Sequence, residues 1–200
     1  MINNPQQPYG VEYSSDGRFL AVTSAEKMAV TIYETSSGKE IKELSGFETA
    51  APIYSVIIAP GGRTIAWFAR ATLQFQDIET GQLSSKINFE DFIGQILFAP
   101  DGQELVASAA NKLMIFKTQN GEKSAEETLS KPLRDLDFSP DGRLLVGIYS
   151  QGLQFWDGHT LAPITTIPAP TALSQQSFSP DGQQIATFSD DQKLVFWHLP

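Results

Sequence analysis

The chain contains no cysteine, which excludes disulfides, thiol catalysis and thiolate metal sites. This absence does not fix the compartment. Basic residues are sparse: 14 Lys and Arg stand against 23 Asp and Glu, for a formal charge of −9. The cations form no run, so nucleic acid is not an expected partner, because phosphate binding needs a basic patch. The acidity reads as a soluble surface, or as a face that selects a basic partner. No uncharged apolar run approaches the roughly 18 residues that span a bilayer. Residues 1–8 have neither the basic nor the apolar stretch of a signal peptide, and no Asn-x-Ser/Thr acceptor occurs. With Met1 as the start, the expectation is a soluble cytoplasmic protein without membrane contact. Sustained helical spacing with caps is also missing.

What is present is a recurring phrase. It reads Tyr13-Ser14-Ser15-Asp16-Gly17, Ala59-Pro60-Gly61-Gly62, Ala99-Pro100-Asp101-Gly102, Ser139-Pro140-Asp141-Gly142 and Ser179-Pro180-Asp181-Gly182, with steps of 45, 40, 40 and 40 residues between the final glycines. Self-similarity at about 40–45 residues marks a β-propeller array with one four-stranded blade per repeat. Proline presets φ, aspartate bonds its own backbone and glycine accepts positive φ, so the phrase is a turn. Short segments rich in Val, Ile, Phe and Tyr flank it on both sides, as in Leu133–Ser139 and Arg143–Tyr149. A third follows, as in Gly152–Asp157, and then a more polar fourth, as in Thr160–Ile167. Bounded by Gly, Pro, Asn and Asp, these read as strands. The apolar content of 41% suffices for a core. The fold expected is all-β: a single propeller domain over residues 1–200, with blades at approximately 9–46, 47–89, 90–130, 131–169 and 170–200.

The third segments end in a telling way. Leu153-Gln154-Phe155-Trp156-Asp157 closes on Trp-Asp, and Leu194-Val195-Phe196-Trp197-His198 keeps the Trp, while Tyr33-Glu34, Gln76-Asp77 and Phe116-Lys117 are degenerate at the same place. In this the chain resembles the WD-repeat β-propeller family, in the form of a bacterial-type member or an excerpt of one. The resemblance covers roughly residues 9–198. The family's Gly-His dipeptide is absent, with Gly46-Phe47 nearest, and its hairpin Asp survives at Asp190 or Asp191. The resemblance therefore implies that the family's buried Asp-His-Ser-Trp network is missing and that apolar packing between blades holds the molecule. Family members mostly close with about seven blades. Five blades, the last lacking its fourth strand, imply an arc of a larger propeller. Closure by residues 1–8 is the alternative, disfavoured by Pro5 and Pro8, which lack amide donors. An open arc leaves apolar flanks and unpaired edges, through which the chain could self-associate.

No catalytic constellation emerges. His159 and His198 have no neighbouring carboxylate at metal-ligand spacing. Asp135, Asp137, Asp141 and Gly142 fail the order of a calcium loop. Asp16, Asp101, Asp141 and Asp181 are turn residues by position. There is no phosphate-cradling loop, no Gly-x-Ser-x-Gly elbow and no Cys-His pairing, so no cofactor, metal or catalytic residue is assigned. What remains is surface. Loops leading into each blade and hairpins joining its second and third strands share one propeller face, where partners of the family often bind. That face would carry Phe47, Phe89, Asp91 and Phe92 from the loops, and Arg70, Lys112, Gln151 and Asp190 from the hairpins. Aromatics and Arg are enriched at interaction hot spots, although the phenylalanines could equally plug the seams between blades.

The function expected is a non-catalytic scaffold that binds a protein or peptide on one propeller face. The alternative is the propeller module of a larger hydrolase or kinase whose active domain lies outside these residues. A self-contained active site in the central channel would draw on Ser55, Gln95, Arg134, Asp135 and Gln175, placed on the innermost strands by parity.

Overall fold

The computed structural model describes residues 8–24, 29–44, 53, 55–150 and 152–199. These form strands and turns, with no α-helix among the described residues and hence no helix long and apolar enough to cross a membrane. The first blade is β1 (Pro8–Tyr13), β2 (Phe19–Ser24), β3 (Ala29–Glu34) and β4 (Glu40–Leu44). The second is β5 (Ser55–Ile58), β6 (Thr64–Ala69), β7 (Thr72–Asp77) and β8 (Leu83–Asn88). The third is β9 (Ile93–Phe98), β10 (Glu104–Ala109), β11 (Lys112–Lys117) and β12 (Lys123–Thr128). The fourth is β13 (Asp135–Phe138), β14 (Leu144–Tyr149), β15 (Gly152–Asp157) and β16 (Pro163–Pro168). The fifth has three strands only, β17 (Leu173–Phe178), β18 (Gln184–Ser189) and β19 (Leu194–His198). Every sheet is an antiparallel meander in chain order. The expected architecture of five blades, the last incomplete, is therefore present.

The strand compositions follow from their place in the blade. Middle strands such as β6 and β7 are buried along nearly their whole length, because each is covered on both faces; β6 is correspondingly apolar after Thr64, and β7 alternates its apolar Leu73 and Phe75 with the buried Gln74 and Gln76. Outer strands such as β8 and β12 are mostly exposed and read as polar. The core is not one mass but a series of seams. Ile32 and Val30 of the first blade pack on Ile65 and Trp67 of the second. Phe75 and Leu73 pack on Leu105 and Phe116 of the third. Leu113 and Ile115 pack on Leu145 and Trp156 of the fourth, and Leu153 and Phe155 pack on Ile185 and Trp197 of the fifth. Inner strands adjoin in sequence, β1 with β5, β5 with β9, β9 with β13 and β13 with β17. No comparable adjacency joins β17 to β1 among the described residues. Residues 1–7 lie outside the described residues, and Pro8 begins β1 rather than an outer strand.

The recurring turn also joins blades. In the fourth blade Ser139 Oγ donates to Asp141 Oδ1 (2.7 Å) and accepts from the Leu144 amide (2.9 Å), while the Arg143 amide donates to the same carboxylate oxygen (3.1 Å). The fifth blade repeats this with Ser179, Asp181 and Gln183. Gly17, Gly62, Gly102, Gly142 and Gly182 have φ between 69° and 74°, the left-handed region that glycine enters without steric cost. Gly102 faces the ring and carbonyl of Pro60, Gly142 faces Pro100 and Gly182 faces Pro140. These three glycines thus seat on the proline of the preceding turn, one repeat earlier, while Gly62 meets Asp16, Arg18 and Phe19 of the first blade.

Candidate interaction face

The hairpins and inter-blade loops are tied by backbone hydrogen bonds. The hairpin after β6 turns at Arg70 and Ala71, with Ala69 paired to Thr72. Its carbonyls hold the next loop: the Phe89 amide donates to Ala71 O (2.8 Å) and the Ile93 amide to Arg70 O (2.9 Å). In the third blade the Leu129 amide donates to Asn111 O (2.7 Å) in the same manner. Arg70, Phe89, Asp91 and Phe92 are therefore brought to one end of the strands, as the repeat grammar implies.

Between the second and third blades this end opens into a groove of about 390 Å³. Ile87, Phe89, Met114 and Phe116 supply its apolar walls, and Glu90, Asp91, Lys112, Lys123 and Glu126 its polar ones. Phe89 is half-buried and meets Phe116 edge to face, with ring centroids 5.6 Å apart. It therefore plugs the seam and at the same time walls the groove. Phe92 does neither and is 71% exposed. Lys112 Nζ pairs with Glu126 Oε1 (3.2 Å), and Lys123 pairs with the other oxygen of that carboxylate. These two contacts hold the Glu126 carboxyl below its usual range. Glu90 and Asp91 are exposed, and neither has an ion-pair partner among the described residues. The groove mouth is therefore acidic over an aromatic floor. Glu126 and Phe116 carried no signal in the sequence, because their part depends on the blade-to-blade geometry.

Asp190 sits elsewhere, at the seam of the fourth and fifth blades. Arg134 Nη1 donates to both Asp190 carboxylate oxygens (3.3 Å each) and to Leu173 O (3.1 Å), so Asp190 clamps two blades. Phe47 and Gln151 lie outside the described residues.

The innermost strands carry ties rather than a reactive set. Asp135 accepts from Gln95 Nε2 (3.3 Å) in the third blade and from the Gln176 amide (2.9 Å) in the fifth. Asp137 accepts from the Phe178 amide (3.2 Å), and burial pushes its carboxyl up. Gln176, not Gln175, faces the fourth blade, because a register shift between Leu173 and Gln175 breaks the alternation of β17. Among the described residues no group of three or more acidic or His side chains is placed to hold a metal ion. The Trp–hydroxyl part of the family network is present in the fifth blade, where Trp197 Nε1 donates to Thr187 Oγ1 (2.9 Å). Asp157, after Trp156, caps the turn that follows β15 by accepting from the Thr160 amide (2.9 Å) and hydroxyl (2.8 Å).

Meandering antiparallel blades packed face to face around adjoining inner strands define a blade-repeat protein of the propeller type. Residues 150–198 match the family model described as WD domain, G-beta repeat. The four sheets that lead up to this stretch have the same meandering strand plan. No curated protein matches it. WD repeats generally mediate protein–protein contacts and are typically non-catalytic.

Proposed function

We propose that the protein is a non-catalytic interaction scaffold that seats a peptide segment of a partner in the groove between its second and third blades. The observation that carries this reading is the pairing of an aromatic floor, Phe89 and Phe116, with two uncompensated carboxylates at the mouth, Glu90 and Asp91. The matching ligand is an aromatic or long aliphatic side chain next to Lys or Arg. Charge complementarity of this kind steers encounter and fixes register, and the net charge of −9 favours basic partners at long range. Phe92, exposed beside the groove, offers a further anchor of the type that dominates binding energy.

Selection from a random peptide library on the immobilised chain tests this. Enriched peptides are expected to carry the apolar–basic pair. Asp91→Lys and Phe92→Ala should each weaken them tenfold or more, about 1.4 kcal/mol, and Arg143→Ser, at the opposite end of the strands, should leave them unchanged. Enriched peptides that bind Asp91→Lys as well as the parent chain would refute the assignment.

A further inference from the structure

Each blade has two unlike faces, and every seam joins the leading face of one blade to the following face of the next. In the fourth blade the leading face is built on two cross-strand pairs, Val146 with Phe155 and Ile148 with Leu153, whose side chains are 0–3% exposed. The fifth blade repeats this arrangement with Ala186 opposite Phe196 and Phe188 opposite Leu194. There Phe188, Leu194 and Phe196 are 44%, 59% and 56% exposed. At the other end of the chain, Val11 and Tyr13 of β1 occupy the places of Leu136 and Phe138 in β13. They are 63% and 61% exposed, whereas Leu136 and Phe138 are 3% and 7% exposed. A sheet face meant for water alternates to polar residues. These two faces do not, and together they hold five of the large apolar side chains most open to solvent.

We propose that these two faces are the halves of one more seam, made between copies: the fifth blade of one copy docks on the first blade of another. The chain already joins this pair of surfaces at each of its internal seams. Leu194 and Phe196 repeat the residue types of Leu153 and Phe155 at the same register positions. Within one copy, β17 and β1 are not adjacent among the described residues, so neither end covers the other. The contact is heterologous, and copies therefore add head to tail. It is apolar and forms between molecules of like charge, so added salt strengthens it by screening the repulsion.

Light scattering after size exclusion, over a concentration series at low and high salt, reads the association directly. The chain is expected to rise above 21.9 kDa with concentration, more steeply at high salt. Tyr13→Glu blocks only the first-blade face and Phe196→Glu only the fifth-blade face, so each alone stays at the monomer mass. Mixed in equal amounts, the two variants form one junction and give a species of twice that mass. Both altered side chains are exposed in the monomer, so circular dichroism should match the parent chain; Leu194→Lys serves as a second probe of the fifth-blade face. A monomer at every concentration overturns the proposal and points to a different occupant of the two faces. So does a Tyr13→Glu chain that still self-associates alone, since that means like faces pair, and so does a mixture that stays monomeric.

Discussion

Leu153 and Leu194 are the same residue at the same position of successive blades, and they should respond oppositely to truncation. Leu153 is fully buried against Ile185 and Trp197. Leu194 points from the far side of the next sheet into solvent. Leu153→Ala deletes buried atoms from a seam closed by inter-strand ties such as Gln176 to Asp135, so the space collapses only partly. The cost is about 3 kcal/mol, within the spread of about 2–5 kcal/mol for such changes. For a chain of this length that is a fall in Tm of about 10 °C. Leu194→Ala removes little contact in the monomer and should cost less than about 0.5 kcal/mol. The assay is thermal unfolding by circular dichroism at a concentration where light scattering reports monomer. Equal losses for the two variants would refute the reasoning, because they would require the outer face of the fifth blade to be covered within a single copy.

Three further substitutions probe the seams from other sides. Gly102→Ala puts a Cβ 2.8 Å from the Pro60 carbonyl oxygen at a φ of +71°, whereas at Gly17, with a φ of +69°, nothing lies within 4 Å. Gly17→Ala should therefore cost only the left-handed penalty of about 1–2 kcal/mol, and Gly102→Ala clearly more; equal melting temperatures would show that the turns do not stack. His159 Nδ1 lies 2.8 Å from Glu104 Oε2, joining the fourth blade to the third. Hydrogen bonding to Glu104, with the carboxylates of Asp157 and Asp101 nearby, pushes the imidazole above its usual value. A raised folded value means the pair's stabilisation is complete below the unfolded pKa of about 6.5 and is lost as pH rises through the folded one. The ring is half-exposed, so screening limits the effect to about 0.2–1 kcal/mol. His159→Gln should flatten this part of the Tm-versus-pH curve, and an unchanged curve would assign it to other groups.

The fold was legible because the turn phrase recurs at nearly fixed spacing and each turn chemistry is local. The expectation of packing through seams also followed from local signs, the missing Gly-His dipeptide and the degenerate Trp-Asp ends. What the sequence read as a turn alone proves to be an inter-blade joint, as at Gly102 on Pro60, because a contact one repeat away leaves no separate mark. The candidate face was half legible. Repeat grammar put Arg70, Phe89, Asp91 and Phe92 at one end of the strands. It could not show that Glu126 gathers Lys112 and Lys123, or that Arg134 reaches Asp190 in the next blade, since both depend on three-dimensional placement. Nor could it show that Gln176 ties the fifth blade to Asp135 and to the Val146 carbonyl of the fourth, since a register shift in β17 breaks the simple alternation after Leu173.

The most direct test of the scaffold reading is a hydrogen-exchange footprint of a library-selected peptide on the monomeric chain. The account predicts slowed exchange in residues 87–93 and 109–116, the walls of the groove, with the turns at 139–143 and 179–183 unchanged. Protection confined to those turns, or to β19, would contradict it.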